Sequence, residues 1–87
     1  MKSIKTITNE AILNDPAYIS SVVLIAGSAA ATVTLNDSDD GTGTDRIAMK
    51  VIANDSKQFN FEKSVKFNTA VYSTITGASA VAYIYYR

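Results

Sequence analysis

Along most of the chain, apolar and polar residues alternate with a period of two, the spacing at which successive side chains fall on opposite faces of a β-strand. Ile47, Met49 and Val51 share one parity, as do Phe59 and Phe61 and then Val65 and Phe67. β-Branched and aromatic residues dominate these runs, and Gly, Asn and Asp punctuate them at short intervals. The pattern predicts strands over residues 2–8, 17–26, 29–36, 45–53, 56–62, 65–68, 70–76 and 79–86. Residues 9–16 break the alternation and read as a helical turn or a loop that Pro16 ends.

Two stretches depart from simple alternation. From Val22 to Ile25 and from Ala82 to Tyr86 both parities are apolar. Such strands need cover on both faces, either from the protein's own layers or from a partner subunit. Gly27-Ser28 and Gly77-Ala78 each put Gly first in a two-residue loop, which predicts type II′ hairpins. Ile25-Ala26-Gly27-Ser28-Ala29-Ala30-Ala31 lies over Ile75-Thr76-Gly77-Ala78-Ser79-Ala80-Val81 at a spacing of fifty residues, and predicts two equivalent hairpins, one in each sheet. Asn54-Asp55 suits a tight turn, since both residues tolerate left-handed geometry. Short antiparallel strands at this spacing point to an all-β fold, an antiparallel β-sandwich of about eight strands, jelly-roll or immunoglobulin-like. Residues 1–87 form a single domain, with 1–16 as an arm or edge segment; the strand topology stays open.

Composition adds a constraint on the surface. A chain of 87 residues buries only about 60 to 65% of its unfolded surface and has room for one core. Hydrophobic residues are 47% and charged residues 18%, against about 25% charged in average globular chains. Ser, Thr, Asn and small apolar groups must therefore line the exterior, and other subunits are expected to cover part of it. Eight basic residues balance eight acidic ones, so no net field favours nucleic acid or an anionic membrane. Cys is absent, which removes disulfides and thiolate metal sites. The N-terminal residues alternate rather than forming a signal core, and the longest apolar run, Val22 to Ala26, is five residues against roughly 20 for a span. A soluble protein made without a cleaved signal is expected.

Catalysis has little to work with. His and Cys, the usual general base and the strongest nucleophile, are both missing. Asp37, Asp39 and Asp40 share one loop, while Glu10, Asp15, Asp55 and Glu62 fall at predicted turns or strand ends, so no carboxylate pair is fixed across a cleft. The chain is not expected to be an enzyme. The segment Asn36-Asp37-Ser38-Asp39-Asp40-Gly41 offers hard oxygen ligands, but an EF-hand wants Gly sixth and Glu twelfth. Counted from Asp37 those positions are Thr42 and Ala48, so the loop reads as a solvated turn and neither metal nor cofactor is expected. Phe59, Phe61 and Phe67 share the inward parity and read as core. Tyr83, Tyr85 and Tyr86 cannot all point inward from one strand, and with Arg87 they form the candidate interface, joined by Ile4 and Ile7.

The strand and hairpin from Val22 to Leu35, the Asp/Gly/Thr-rich turn through Asp45 and the closing hairpin from Tyr72 to Arg87 carry a resemblance. Over roughly residues 20–87 the chain resembles small tailed-bacteriophage virion proteins of the decoration, or cement, type, in which a Thr-Gly hairpin leads to a Tyr-Tyr-Arg terminus. What the resemblance implies is a particle component, assembled in the host cytoplasm and residing in the virion. Its partners would be itself, as a homo-oligomer and often a homotrimer, and a major capsid or other virion protein, with no nucleic acid and no membrane. A carbohydrate- or receptor-binding module of a tail fibre or adhesin is the alternative. It would use residues 37–44 and exposed Tyr.

Overall fold

A computed structural model describes residues 2–87. Eight strands make up the fold: β1 Lys2–Thr6, β2 Glu10–Leu13, β3 Ala17–Ile25, β4 Ala31–Asp37, β5 Thr44–Val51, β6 Ser56–Phe67, β7 Val71–Thr76 and β8 Val81–Tyr86. They form two antiparallel four-stranded sheets, sheet I in the order β1-β8-β3-β6 and sheet II in the order β2-β7-β4-β5. This interleaved order is that of a jelly roll, which resolves the choice left open between jelly-roll and immunoglobulin-like sandwiches. Among the described residues, only β4 and β5 are joined as a hairpin; every other consecutive pair crosses from one sheet to the other.

The core forms where inward parities meet. Ile19, Val22, Leu24, Phe67, Ala82 and Ile84 from sheet I face Val33, Leu35, Ile47, Met49, Val51 and Val71 from sheet II, all buried. Phe67 is the largest fully buried side chain. Phe61 packs against this core and is half-buried, but Phe59 is 47% exposed. The core role predicted for Phe59 therefore fails: its strand is the edge of sheet I, and there the ring lines an open cleft with Phe61, Ile47 and Met49.

Two sequence expectations change, and one choice between alternatives is made. Residues 9–16 hold no helical turn; Glu10–Leu13 is the edge strand of sheet II, pairing with β7, and Ile12 is buried. The Asn9 Oδ1 atom receives the Ile75 N–H at 2.8 Å and starts that pairing. Residues 56–62 and 65–68 belong to one strand, bent by a bulge: the β3 register runs from Ile19↔Val65 to Ser21↔Asn60, so four residues of β6 stand against Ser20. The N-terminal segment is an edge element in both sheets rather than a free arm.

Neither Gly27-Ser28 nor Gly77-Ala78 closes a hairpin, because β3 and β4, and likewise β7 and β8, lie in different sheets. Asn54-Asp55 also crosses between sheets, with Asn54 in the left-handed region at φ 61°. The loops gather at one end of the sandwich, where the Ala26 N–H donates to the Asp55 carbonyl and the Asn54 N–H to the Gly27 carbonyl, both at 2.8 Å. A Cβ on Gly27 would run into the Ala78 carbonyl and Ser79; one on Gly77, at φ 112°, would come within 2.6 Å of the Ala30 carbonyl oxygen. The two similar loops thus pack against each other. Their shared glycines permit close backbone approach, which a hairpin-turn reading does not anticipate.

Candidate interaction surface

The outer face of sheet I is built from the parity left over when β3 and β8 send Val22, Leu24, Ala82 and Ile84 inward. Across the strands run Lys5, Tyr83, Val23 and Gln58 in one row, and Ser3, Tyr85, Ser21 and Asn60 in the next. Val81 and Ile25 are paired beyond them. Among the described residues, no other element of the fold covers this face. Ile25 is 39% exposed, and Val23, Val81, Tyr83 and Tyr85 are half-buried. The doubly apolar stretches therefore have one face in the core and one uncovered.

The expected interface residues separate. Tyr83 and Tyr85 stand on the outer face, opposite Lys5 and Ser3 of β1. Ile7, just after β1, is 60% exposed and borders a shallow depression with Lys5, Gly77, Ser79, Ala80 and Val81. Ile4 and Tyr86 lie on the inner face instead, partly buried and packed against the core. Arg87 is exposed at the far end, where its backbone exchanges two hydrogen bonds of 3.0 Å with Tyr18. The Tyr18 ring there has Arg87 Cζ 5.5 Å and Lys66 Nζ 5.8 Å from its centroid, within cation–π range. Sequence reading passed over Tyr18 and Lys66, because a lone Tyr and a lone Lys carry no signal until the register Tyr18↔Lys66 pairs them.

The outer face of sheet II differs in kind. Thr32 and Thr76 face each other and share a hydroxyl hydrogen bond, Thr34 pairs with Thr74, and Ala48 and Lys50 complete the rows. Among the described residues, these rows hold no large aliphatic side chain, and Ile52, just past β5, is 68% exposed.

The β4–β5 hairpin satisfies its own polar groups. Buried Asn36 organises it: Nδ2 donates to the Gly43 carbonyl at 2.9 Å and to Asp45 Oδ1 at 2.7 Å, and Oδ1 accepts from the Gly43 N–H at 2.9 Å and from the Ser38 hydroxyl. Asp40 Oδ1 accepts from the Thr42 N–H and hydroxyl at 3.0 and 2.6 Å, and these bonds hold its exposed carboxyl below the usual aspartate range. Asp37 turns away from the loop. Its carboxylate accepts the N–H groups of Asn68 and Thr69 at 3.0 and 2.9 Å and lies 3.4 Å from Arg46 Nη2. Partial burial, the largest single influence, pushes its pKa up; the N–H groups of Asn68, Thr69 and Ala70 with the Arg46 charge outweigh that and leave it lowered. The acids of the loop thus point to separate partners. Among the described residues no three acidic side chains converge as a metal site would need, and no helix is long and apolar enough to cross a membrane.

Compared with known protein families, curated proteins and solved structures, the chain matches none.

Proposed function

We propose that this protein is a virion structural component, a capsid decoration protein that acts by covering joints between larger subunits and carries no catalytic activity. The observation that supports this reading is the uncovered row of Val23, Ile25, Val81, Tyr83 and Tyr85 on the outer face of sheet I. Aromatic residues with an apolar body and a polar tip are enriched at interface centres and depleted on ordinary exteriors. A sandwich needs only one buried face per sheet, so a second apolar face serves something other than the chain's own fold. Fold by itself does not carry function; the jelly roll supplies a rigid frame, and the proposal stands on the face and on the sequence resemblance.

Cosedimentation with purified capsids of the virus that encodes the chain tests this. Saturable binding by the wild type is expected, with loss in a Tyr83→Ser/Tyr85→Ser variant whose thermal midpoint is unchanged. Central aromatic anchors carry about 2 kcal/mol or more on truncation, which is more than tenfold in Kd. Absence of binding to any virion component, together with specific signals on a glycan array, would transfer the protein to the carbohydrate-binding alternative.

A further inference from the structure

Phe59 belongs by register to the core face of sheet I, since its partner across the ladder is the buried Val22. Its ring is nevertheless 47% exposed, because β6 is the edge of the sheet and, among the described residues, no strand lies beyond it. With Phe61 it lines an open cleft of about 240 Å³ against Ile47, Ala48 and Met49 of β5, the edge of sheet II on the same side. A free edge carries backbone N–H and C=O groups without ladder partners, and proteins blunt such edges by shortness, bulges or charge. Edge strand β1 has five residues, two of them Lys, and β2 has four and a register shift. In its eight residues β5 carries Asp45, Arg46 and Lys50. The twelve residues of β6 make it the longest edge, and its bulge begins only after Asn60. From Gln58 to Phe61 it has no charge, Pro or Gly.

We propose that β6 is a self-pairing edge: a second copy of this chain adds its own β6 antiparallel to the first, across a two-fold axis at Phe59, and the two copies of sheet I become one sheet of eight strands. This goes beyond the decoration role and uses a surface separate from the outer face of sheet I. A two-fold perpendicular to a sheet keeps every side chain on its own face, so it must pass between a residue and that residue's equivalent. Centred on Phe59, it sets the two exposed rings against each other, Lys57 opposite Phe61 of the other copy, and Gln58 opposite its Asn60. Aromatic pairs and a Lys beside an aromatic ring are favourable cross-strand neighbours. Within one copy Gln58 Nε2 donates to Asn60 Oδ1 at 3.0 Å. The Gln58 Oε1 acceptor and the Asn60 Nδ2 donor are then left for the matching groups of the other copy. Moving the axis to Asn60 would oppose Lys57 and Lys63, which like charges disfavour, and moving it to Gln58 would part the Phe59 rings. This self-complementarity of rings, amides and charge selects a second copy as the occupant. The contact is a short one, at the small end of specific interfaces, so the pair is expected to fill as concentration rises toward millimolar.

The absence of Cys permits a register-specific test, because an introduced Cys is unique. In the proposed pair residue 59 faces its equivalent at a Cα separation of about 4.5 to 5.5 Å, inside the roughly 4.4 to 6.8 Å that a disulfide spans. The two copies of residue 57 lie about 14 Å apart along the strands. Under mild oxidation Phe59→Cys should form a covalent dimer on the order of tenfold or more faster than Lys57→Cys or Ile52→Cys, the last at a position 68% exposed. Light scattering of the wild type should rise with concentration from the mass of one chain to that of two. Phe59→Lys, which opposes two ammonium groups, should stay at one; thermal melts check that each variant keeps the fold. Equal cross-linking at the three positions, a wild type that stays at one chain at millimolar concentration, or Phe59→Lys pairing as well as the wild type would each overturn the proposal. So would a monomeric wild type whose capsid binding is lost in Phe59→Lys, which would hand the edge to a strand of a larger virion protein. Cosedimentation scores the decoration role separately: pairing without capsid binding would sink that role and leave the self-pairing edge standing.

Discussion

Removal of the Asp37 carboxylate should loosen the sandwich where β4 meets the β6–β7 crossover, in a pH-dependent way. Two backbone N–H groups, of Asn68 and Thr69, donate to this side chain at 3.0 and 2.9 Å. Hydrogen bonds to a charged group contribute about 1.5 to 3 kcal/mol each, and the exposed setting of Asn68 and Thr69 places these two at the low end. The Arg46 side chain is 38% exposed, and its ion pair adds at most about 0.5 kcal/mol. Asp37→Ala should therefore cost about 3 kcal/mol. Asp37→Asn, which keeps a neutral acceptor of roughly half the strength, should cost about 1 to 2 kcal/mol. At an m-value near the lower end of the 1 to 3 kcal/mol/M seen in urea, the Ala variant should unfold roughly 2 M earlier. The folded pKa lies below the ordinary aspartate value of 3.8. The charge-dependent stability is thus complete above the unfolded value and disappears as pH falls through the lowered folded value. Urea titrations of the wild type and Asp37→Asn at pH 7, 5, 4 and 3 should give a gap that is constant down to pH 5 and narrows below 4. An equal midpoint at pH 7, or a gap that does not narrow in acid, would refute this account of the clamp.

Ser73 is fully buried in β7, and its hydroxyl lacks a hydrogen-bond partner; Ser73→Ala removes an unpaired group that costs about 1 to 3 kcal/mol, so the urea midpoint should rise. Gly77→Ala places a Cβ at φ 112° against the Ala30 carbonyl and Ala31 Cα and should lower stability by about 1 to 3 kcal/mol, measured by thermal melts. Phe67→Ala should cost about 3 to 5 kcal/mol. Phe59→Ala, with the ring 47% exposed, should cost far less, and equal losses in parallel titrations would contradict the edge position of β6.

Period-two alternation made the strands visible wherever one face is buried, as in Ile47, Met49 and Val51 or Ala82 and Ile84. It missed Glu10–Leu13 because a four-residue edge strand has too few positions to show a period. It split β6 because polar Glu62, Lys63 and Ser64 in the bulge interrupt the apolar run, although Phe61 and Val65 both pack on the core. The crossovers were out of reach for a different reason. Gly27 and Gly77 signal tight backbone geometry, but whether a glycine turns a hairpin or lets two loops touch is decided by residues fifty positions away. The candidate surface was half legible. Doubly apolar strands flagged Val23, Ile25, Tyr83 and Tyr85, whereas the inward aim of Ile4 and Tyr86 depends on pairing register.

The position of β8 between β1 and β3 has a consequence for how the fold is reached. A chain that stops before Val81 would leave β1 with no neighbour and expose a flank of β3, so sheet I stays divided until the eighth strand is inserted. With β4–β5 as the one local pairing, little structure can accumulate in small steps. Folding should be slow for the chain's size, in the milliseconds-to-seconds range of β-rich topologies with distant pairings, and all-or-none.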